Sequence, residues 1–155
     1  NMKLLAHQSI HFTHIAYDEI KPVFGNQGKP LSRKDIQKED ELLVISGIAS
    51  PEGFIKEVGK FSDKVTPLIF PDHHAFEKSD IRRIKNTFDK MKSSAKYILV
   101  TEKDAARLLD NPHIPEDWKT CMYYLPITIE FCLDKKFDDE IKKHITTFHK
   151  DNLLR

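Results

Sequence analysis

Apolar residues along this chain follow two patterns that take turns. Three short continuous runs, at 41–47 (Glu-Leu-Leu-Val-Ile-Ser-Gly), 65–70 and 96–100 (Lys-Tyr-Ile-Leu-Val), have the form of strands buried on both faces. Between them the apolar positions recur every three or four residues. Phe54, Ile55, Val58 and Phe61 share one helical face, and Ile81, Ile84, Phe88 and Met91 form one stripe of a helix expected over 78–92. Ser50 suits the N-cap of the first of these helices, Pro51 its first position, and Glu52 the positive end of its dipole. The second has two candidate caps, Glu77 and Ser79, of which serine is chemically the better. A short helix is expected at 105–109. A last one, over about 137–149, carries its apolar face on Phe137, Ile141, Ile145 and Phe148, with Asp138, Asp139 and Glu140 in its first turn and Lys142, Lys143, His144 and His149 further along. Extended segments are expected at 12–17, 121–124 and 127–131, and Pro126 places one of the last two at an edge. Residues 18–40 form a connector.

Strands that alternate with helices at this spacing predict an α/β fold: a mostly parallel sheet with helices on both faces, in one domain spanning 1–155. That topology brings the junctions at Gly47, Asp72 and Thr101 to one edge of the sheet. Open α/β sheets place their ligand chemistry at this carboxyl edge.

The richest junction is Asp72-His73-His74, where an apolar run ends at Pro71 and a helix soon follows. Histidine titrates near neutral pH and can carry or orient a proton. Adjacent side chains are poorly placed to form an orienting dyad, so His73 is expected to pair with a carboxylate from elsewhere. Asp72 can instead cap the following turn, and His74 is expected to be supporting or exposed. At the third junction, Lys103 and Glu102 can bind phosphate and magnesium, or the quartet Thr101, Glu102, Lys103 and Asp104 can simply cap a helix. Gly47 allows a backbone or an anion to approach a helix N-terminus.

Charge and composition exclude several classes. The 25 basic and 24 acidic residues leave a net charge of +1 with no basic stripe, so nucleic acid is not a partner. Two cysteines, Cys121 and Cys132, do not make a disulfide framework. No apolar run approaches the ~18 residues of a membrane span. His7, His11 and His14 have metal-like spacing, but on a strand His14 faces away from His11, and a zinc site needs a fourth ligand. The Gly28-Lys29 pair fails the phosphate-loop template, because Pro30 stands where a serine or threonine should be. The opening Asn1-Met2 suggests a piece of a longer protein.

Taken together, Ser46-Gly47-Ile48-Ala49-Ser50-Pro51, Phe70-Pro71-Asp72-His73-His74-Ala75-Phe76 and Val100-Thr101-Glu102-Lys103-Asp104-Ala105 resemble the carboxyl-terminal half of the tetraacyldisaccharide 4'-kinases of lipid A synthesis, over roughly residues 10–130. The resemblance implies a P-loop-kinase-like enzyme whose phosphate loop, magnesium ligands and membrane-facing helices lie in an amino-terminal half absent from this chain. It implies transfer of the ATP γ-phosphate to the 4'-hydroxyl of tetraacyldisaccharide 1-phosphate, with magnesium, at the cytoplasmic face of the bacterial inner membrane. His73 then works with an aspartate of the absent half to activate the sugar hydroxyl, and Asp72 is its neighbour in the cleft. The fragment alone is expected to be soluble, to bind neither ATP nor metal, and to have no kinase activity. Two other readings compete. Asp-His-His after a strand also resembles the manganese phosphoesterases named for it, although Ser46, Thr101 and Glu102 are a poor oxygen set for two metals. A non-enzymatic α/β binding module is the other.

Overall fold

The computed structural model describes residues 3–5, 8–132 and 137–152, and for residues 26 and 147–152 the backbone only. Asn1, Met2, His7 and the side chains of Phe148 and His149 lie outside the described residues. The contacts gather into two compact units, Tyr17–Ile127 and Asn1–Ala16 with Thr128–Arg155.

The α/β layer is Tyr17–Ile127. Its strands are β2 (Lys21–Pro22), β3 (Glu41–Ser46), β4 (Lys64–Ile69), β5 (Lys96–Thr101) and β6 (Met122–Leu125). They lie in the order β2-β6-β5-β3-β4, parallel throughout except for the antiparallel β2. The helices are α1 (Glu52–Val58), α2 (Lys78–Asp89) and α3 (Glu102–Leu109). Leu42, Leu43, Val44 and Ile45 of β3 are all fully buried, as a strand between two helical layers must be. Alternate residues serve opposite faces. Leu43 and Ile45 join Ile81, Ile84 and Phe88 of α2 and Leu108 of α3, while Leu42 and Val44 join Phe54 and Val58 of α1.

Several boundaries differ from the sequence expectation. The run at 65–70 is not buried on both faces. As β4 it is the edge of the sheet, Leu68 is its one buried residue, and Pro67, which cannot donate a ladder hydrogen bond, is tolerated there. The first helix starts one residue late, with Pro51 in the cap position and no side-chain cap from Ser50. The helix expected at 105–109 starts three residues earlier, at Glu102. The connector at 18–40 contributes β2 and a short 3-10 turn, Gly25–Gln27, and buries Ile20, Val23 and Ile36. Of the two extended segments flanking Pro126, β6 lies inside the large sheet, and the other is an edge strand as expected, but of a separate two-stranded sheet.

That other strand, β7 (Ile127–Phe131), forms a two-stranded sheet with β1 (Thr13–Tyr17). In this second unit α4 (Phe137–Asn152) brings Phe137 against Phe131, with ring centroids 4.8 Å apart. His11 Nε2 lies 3.3 Å from Glu140, and His14 Nε2 lies 3.5 Å from Glu130, so these two histidines do not converge.

The cap of α2 is Glu77, whose N–H donates to Asp80 Oδ2 at 2.9 Å; Ser79 falls inside the helix. Burial pushes the Asp80 carboxyl up, but the Glu77 backbone, the His74 ring and the Arg83 charge outweigh it and hold it below its ordinary value. A depressed folded-state value stabilises the fold above the unfolded carboxylate range, near ~3.9, and that stabilisation is lost as pH falls through the folded value. Asp80→Asn is therefore expected to lower the melting temperature at pH 7 and to narrow its gap to wild type as the pH approaches 3. Thermal melts across that range check it.

Candidate functional site

The parallel register sets the site. Ser46 pairs with Ile69, and Ile45 pairs with both Leu68 and Val100, so the carboxyl ends of β3, β4 and β5 lie side by side. The loops at Gly47, Asp72 and Thr101 leave from this common rim.

Asp104 ties two of the loops together. Its carboxylate is fully buried. Oδ2 accepts from the Gly47 N–H at 2.9 Å and from Thr101 Oγ1 at 2.6 Å. Thr101 in turn caps α3, its Oγ1 accepting from the Asp104 N–H at 3.2 Å. Arg107 Nη1 donates to Asp104 Oδ1 at 2.9 Å and to the Gly47 carbonyl at 3.1 Å. The positive guanidinium and two neutral donors, the Gly47 N–H and the Thr101 hydroxyl, thus compensate a buried negative charge. Gly47 is where backbone comes closest. A Cβ there would stand 3.1 Å from Asp104 Oδ1 and 3.3 Å from the Pro71 carbonyl oxygen.

The third loop presents His73. Its backbone is in the left-handed region, at φ 57°, a conformation that costs a non-glycine residue roughly 1–2 kcal/mol. Its N–H donates to Asp72 Oδ1 at 2.9 Å, a local bond of the kind that supports tight turns. The ring is 78% exposed, with Nε2 3.5 Å from Asp72 Oδ2 and Nδ1 3.5 Å from Arg107 Nη2. His74 behaves in the opposite way. Its Nε2 lies 2.8 Å from Asp80 Oδ2, and its ring stacks on Phe70 with centroids 4.9 Å apart. His74 anchors the loop to α2 and the core, leaving His73 to face solvent.

Gly47, Asp72, His73, Thr101 and Asp104 therefore share one rim. Thr101 and Asp104 are framework there, the helix-capping reading of their segment. Glu102 and Lys103 lie exposed in the first turn of α3, and Glu102 Oε2 accepts from the Ile127 N–H at 3.4 Å. Glu102 also lines a groove of about 380 Å3 with Pro22, Val23, Leu109 and Tyr124; Gly47, Asp72, His73 and Asp104 do not line it. The sequence reading missed Arg107. Its spacing held a clue, since a cation three residues after Asp104 falls on the same helical face.

A family model described as tetraacyldisaccharide-1-P 4'-kinase matches residues 4–146. The chain belongs to that family. Among curated relatives it is 44% identical over 154 residues to the tetraacyldisaccharide 4'-kinase of Parabacteroides distasonis, covering 98% of this chain and 42% of the relative. It is 33% identical to that of Phocaeicola vulgatus, covering 97% and 40%, and 35% identical to that of Flavobacterium johnsoniae, covering 98% and 39%. The chain thus spans about two fifths of the length of these relatives. No solved structure matches it.

The family match groups the chain with the tetraacyldisaccharide 4'-kinases and not with the manganese phosphoesterases. Residues 29–32, after Gly28, have no regular structure, so no helix N-terminus directly follows the Gly28-Lys29 pair to receive phosphate. Among the described residues no group of three His, Cys, Asp or Glu side chains is placed to hold a metal, and no helix is long and apolar enough to cross a membrane.

Proposed function

We propose that this chain is the carboxyl-terminal portion of a tetraacyldisaccharide 4'-kinase and supplies His73 to phosphoryl transfer onto the 4'-hydroxyl of the disaccharide 1-phosphate. One observation carries the reading: a strained, hydrogen-bonded turn holds the His73 ring out at the rim while its neighbour His74 is locked inward. A ring so placed can orient a carboxylate that takes the hydroxyl proton as the new P–O bond forms. That carboxylate belongs to the remainder of the longer chain, as do the sites for ATP and magnesium, which together deliver the γ-phosphoryl group and neutralise its charge. The remainder also provides contact with the cytoplasmic face of the inner membrane. Asp72 holds the His73 turn and stands beside it in the cleft. Gly47, Thr101 and Asp104 keep the rim in shape, and exposed Lys103, with Glu102, borders the phosphates at the positive end of α3.

In the full-length enzyme, His73→Ala is expected to lower kcat about 100-fold while KM changes by less than about threefold, because the lost interaction acts in the transition state. Steady-state kinetics on the purified disaccharide check this, and wild-type turnover in the variant overturns the role. The 155-residue chain, given ATP, magnesium and disaccharide, is expected to form no phosphorylated product.

A further inference from the structure

We propose that Arg107 is a positioning residue that fixes which nitrogen of His73 carries the proton. The inference rests on the role of His73 proposed above and adds to it the residue that sets the ring.

A guanidinium can donate hydrogen bonds but not accept them. Arg107 Nη1 is pinned by two acceptors on different loops, Asp104 Oδ1 at 2.9 Å and the Gly47 carbonyl at 3.1 Å. Asp104 cannot move in its turn, because Gly47 and Thr101 donate to its other oxygen. The plane of the guanidinium is therefore set by the rim, and Nη2 is what remains to face His73. It meets Nδ1 at 3.5 Å, a distance that shortens readily when a catalytic cleft fills. With an obligate donor on that side, Nδ1 keeps its lone pair and the proton of the neutral ring resides on Nε2. The groups facing the ring are then arranged in order: cation at Nδ1, and carboxylate Asp72 Oδ2, 3.5 Å away, at Nε2.

The consequence is directional. A ring with hydrogen on Nε2 offers a donor to a carboxylate and has no basic nitrogen turned toward the hydroxyl. His73 in this state holds and orients the proton-accepting carboxylate and is not itself the base. The orienting partner of a functional histidine commonly sets its tautomer from the opposite nitrogen. Here that partner is Arg107, from α3.

Arg107→Lys tests this without abandoning Asp104, since one ammonium can stay beside the carboxylate but cannot also span to His73. In the full-length enzyme the variant is expected to lose about 10-fold in kcat with KM within about twofold, the size usual for a group that orients another. In a His73→Ala background the same substitution is expected to change kcat by less than about twofold, because Arg107 then has no ring to act on. In enzyme labelled with 15N-histidine, with His73 assigned through His73→Gln, Arg107→Lys is expected to move the Nδ1 resonance and spread the proton over both nitrogens. An unmoved Nδ1 resonance, or a full 10-fold further loss in the His73→Ala background, overturns the proposal and leaves Arg107 structural. If His73→Ala itself turned over normally, the catalytic role of His73 would fall, and the Nδ1 resonance would still decide whether Arg107 sets the ring.

Discussion

Asp104→Ala is expected to cost about 2–4 kcal/mol of folding stability, read as a lower urea midpoint with an unchanged slope. The carboxylate is fully buried and serves three partners: the Gly47 N–H, the Thr101 hydroxyl and the Arg107 guanidinium. Removing it leaves a buried N–H without an acceptor and an arginine without its counter-charge. Breaking one side of a fully buried pair usually costs about 3–5 kcal/mol. The Arg107 side chain is a quarter exposed, and water can recover part of that loss, which lowers the expected figure. The damage reaches further than stability, because the same carboxylate joins the loop after β3 to the helix after β5. A variant that melts like wild type would mean that the rim does not depend on this network.

Trp118→Ala is expected to be the costliest truncation in the core, at about 3–5 kcal/mol by the same measurement. Trp118 is fully buried and meets Phe88 of α2 edge-on, with ring centroids 6.0 Å apart. It enters the core from a single 3-10 turn, Glu116–Thr120, so no regular element of its own can close the cavity left behind. Its indole Nε1 has no hydrogen-bond partner among the described residues. Trp118→Phe therefore removes a polar group that was unpaid for and keeps most of the ring, and a loss under about 1.5 kcal/mol is expected. A Phe variant as unstable as the Ala variant would place the energy in a hidden partner of the indole instead of in packing.

Much of this fold was legible because its signals are local and redundant. The Ile81, Ile84, Phe88 and Met91 stripe is buried throughout, although the helix ends at Asp89 and Met91 follows it. The run 41–47 became an interior strand, paired on both sides, because a continuous apolar run has no face to give to water. Edges were less legible. The run at 65–70 is nearly as apolar, and only Pro67 hinted that one side of it would lack a partner. Caps were the least legible. Chemical preference favoured Ser50 and Ser79, whereas the observed caps are Pro51 and Glu77. A first turn joined to the loop that precedes it, as Asp80 is to His74, starts where that contact requires.

By itself the sequence determined the alternation of strands and helices, hence the parallel sheet, hence the common edge for Gly47, Asp72 and Thr101; with its three motifs it also determined the family. Periodicity and chain direction suffice for this, because a parallel crossover leaves no freedom about which ends of the strands coincide. Only the tertiary structure decided what each polar residue does at that edge. It made Asp104 a buried tie and His74 an anchor, left His73 exposed, and introduced Arg107 between them. The reason is physical: adjacent residues such as His73 and His74 have nearly the same chemistry in the chain, and their difference comes from a left-handed turn and from partners 6 to 34 positions away that no local pattern encodes.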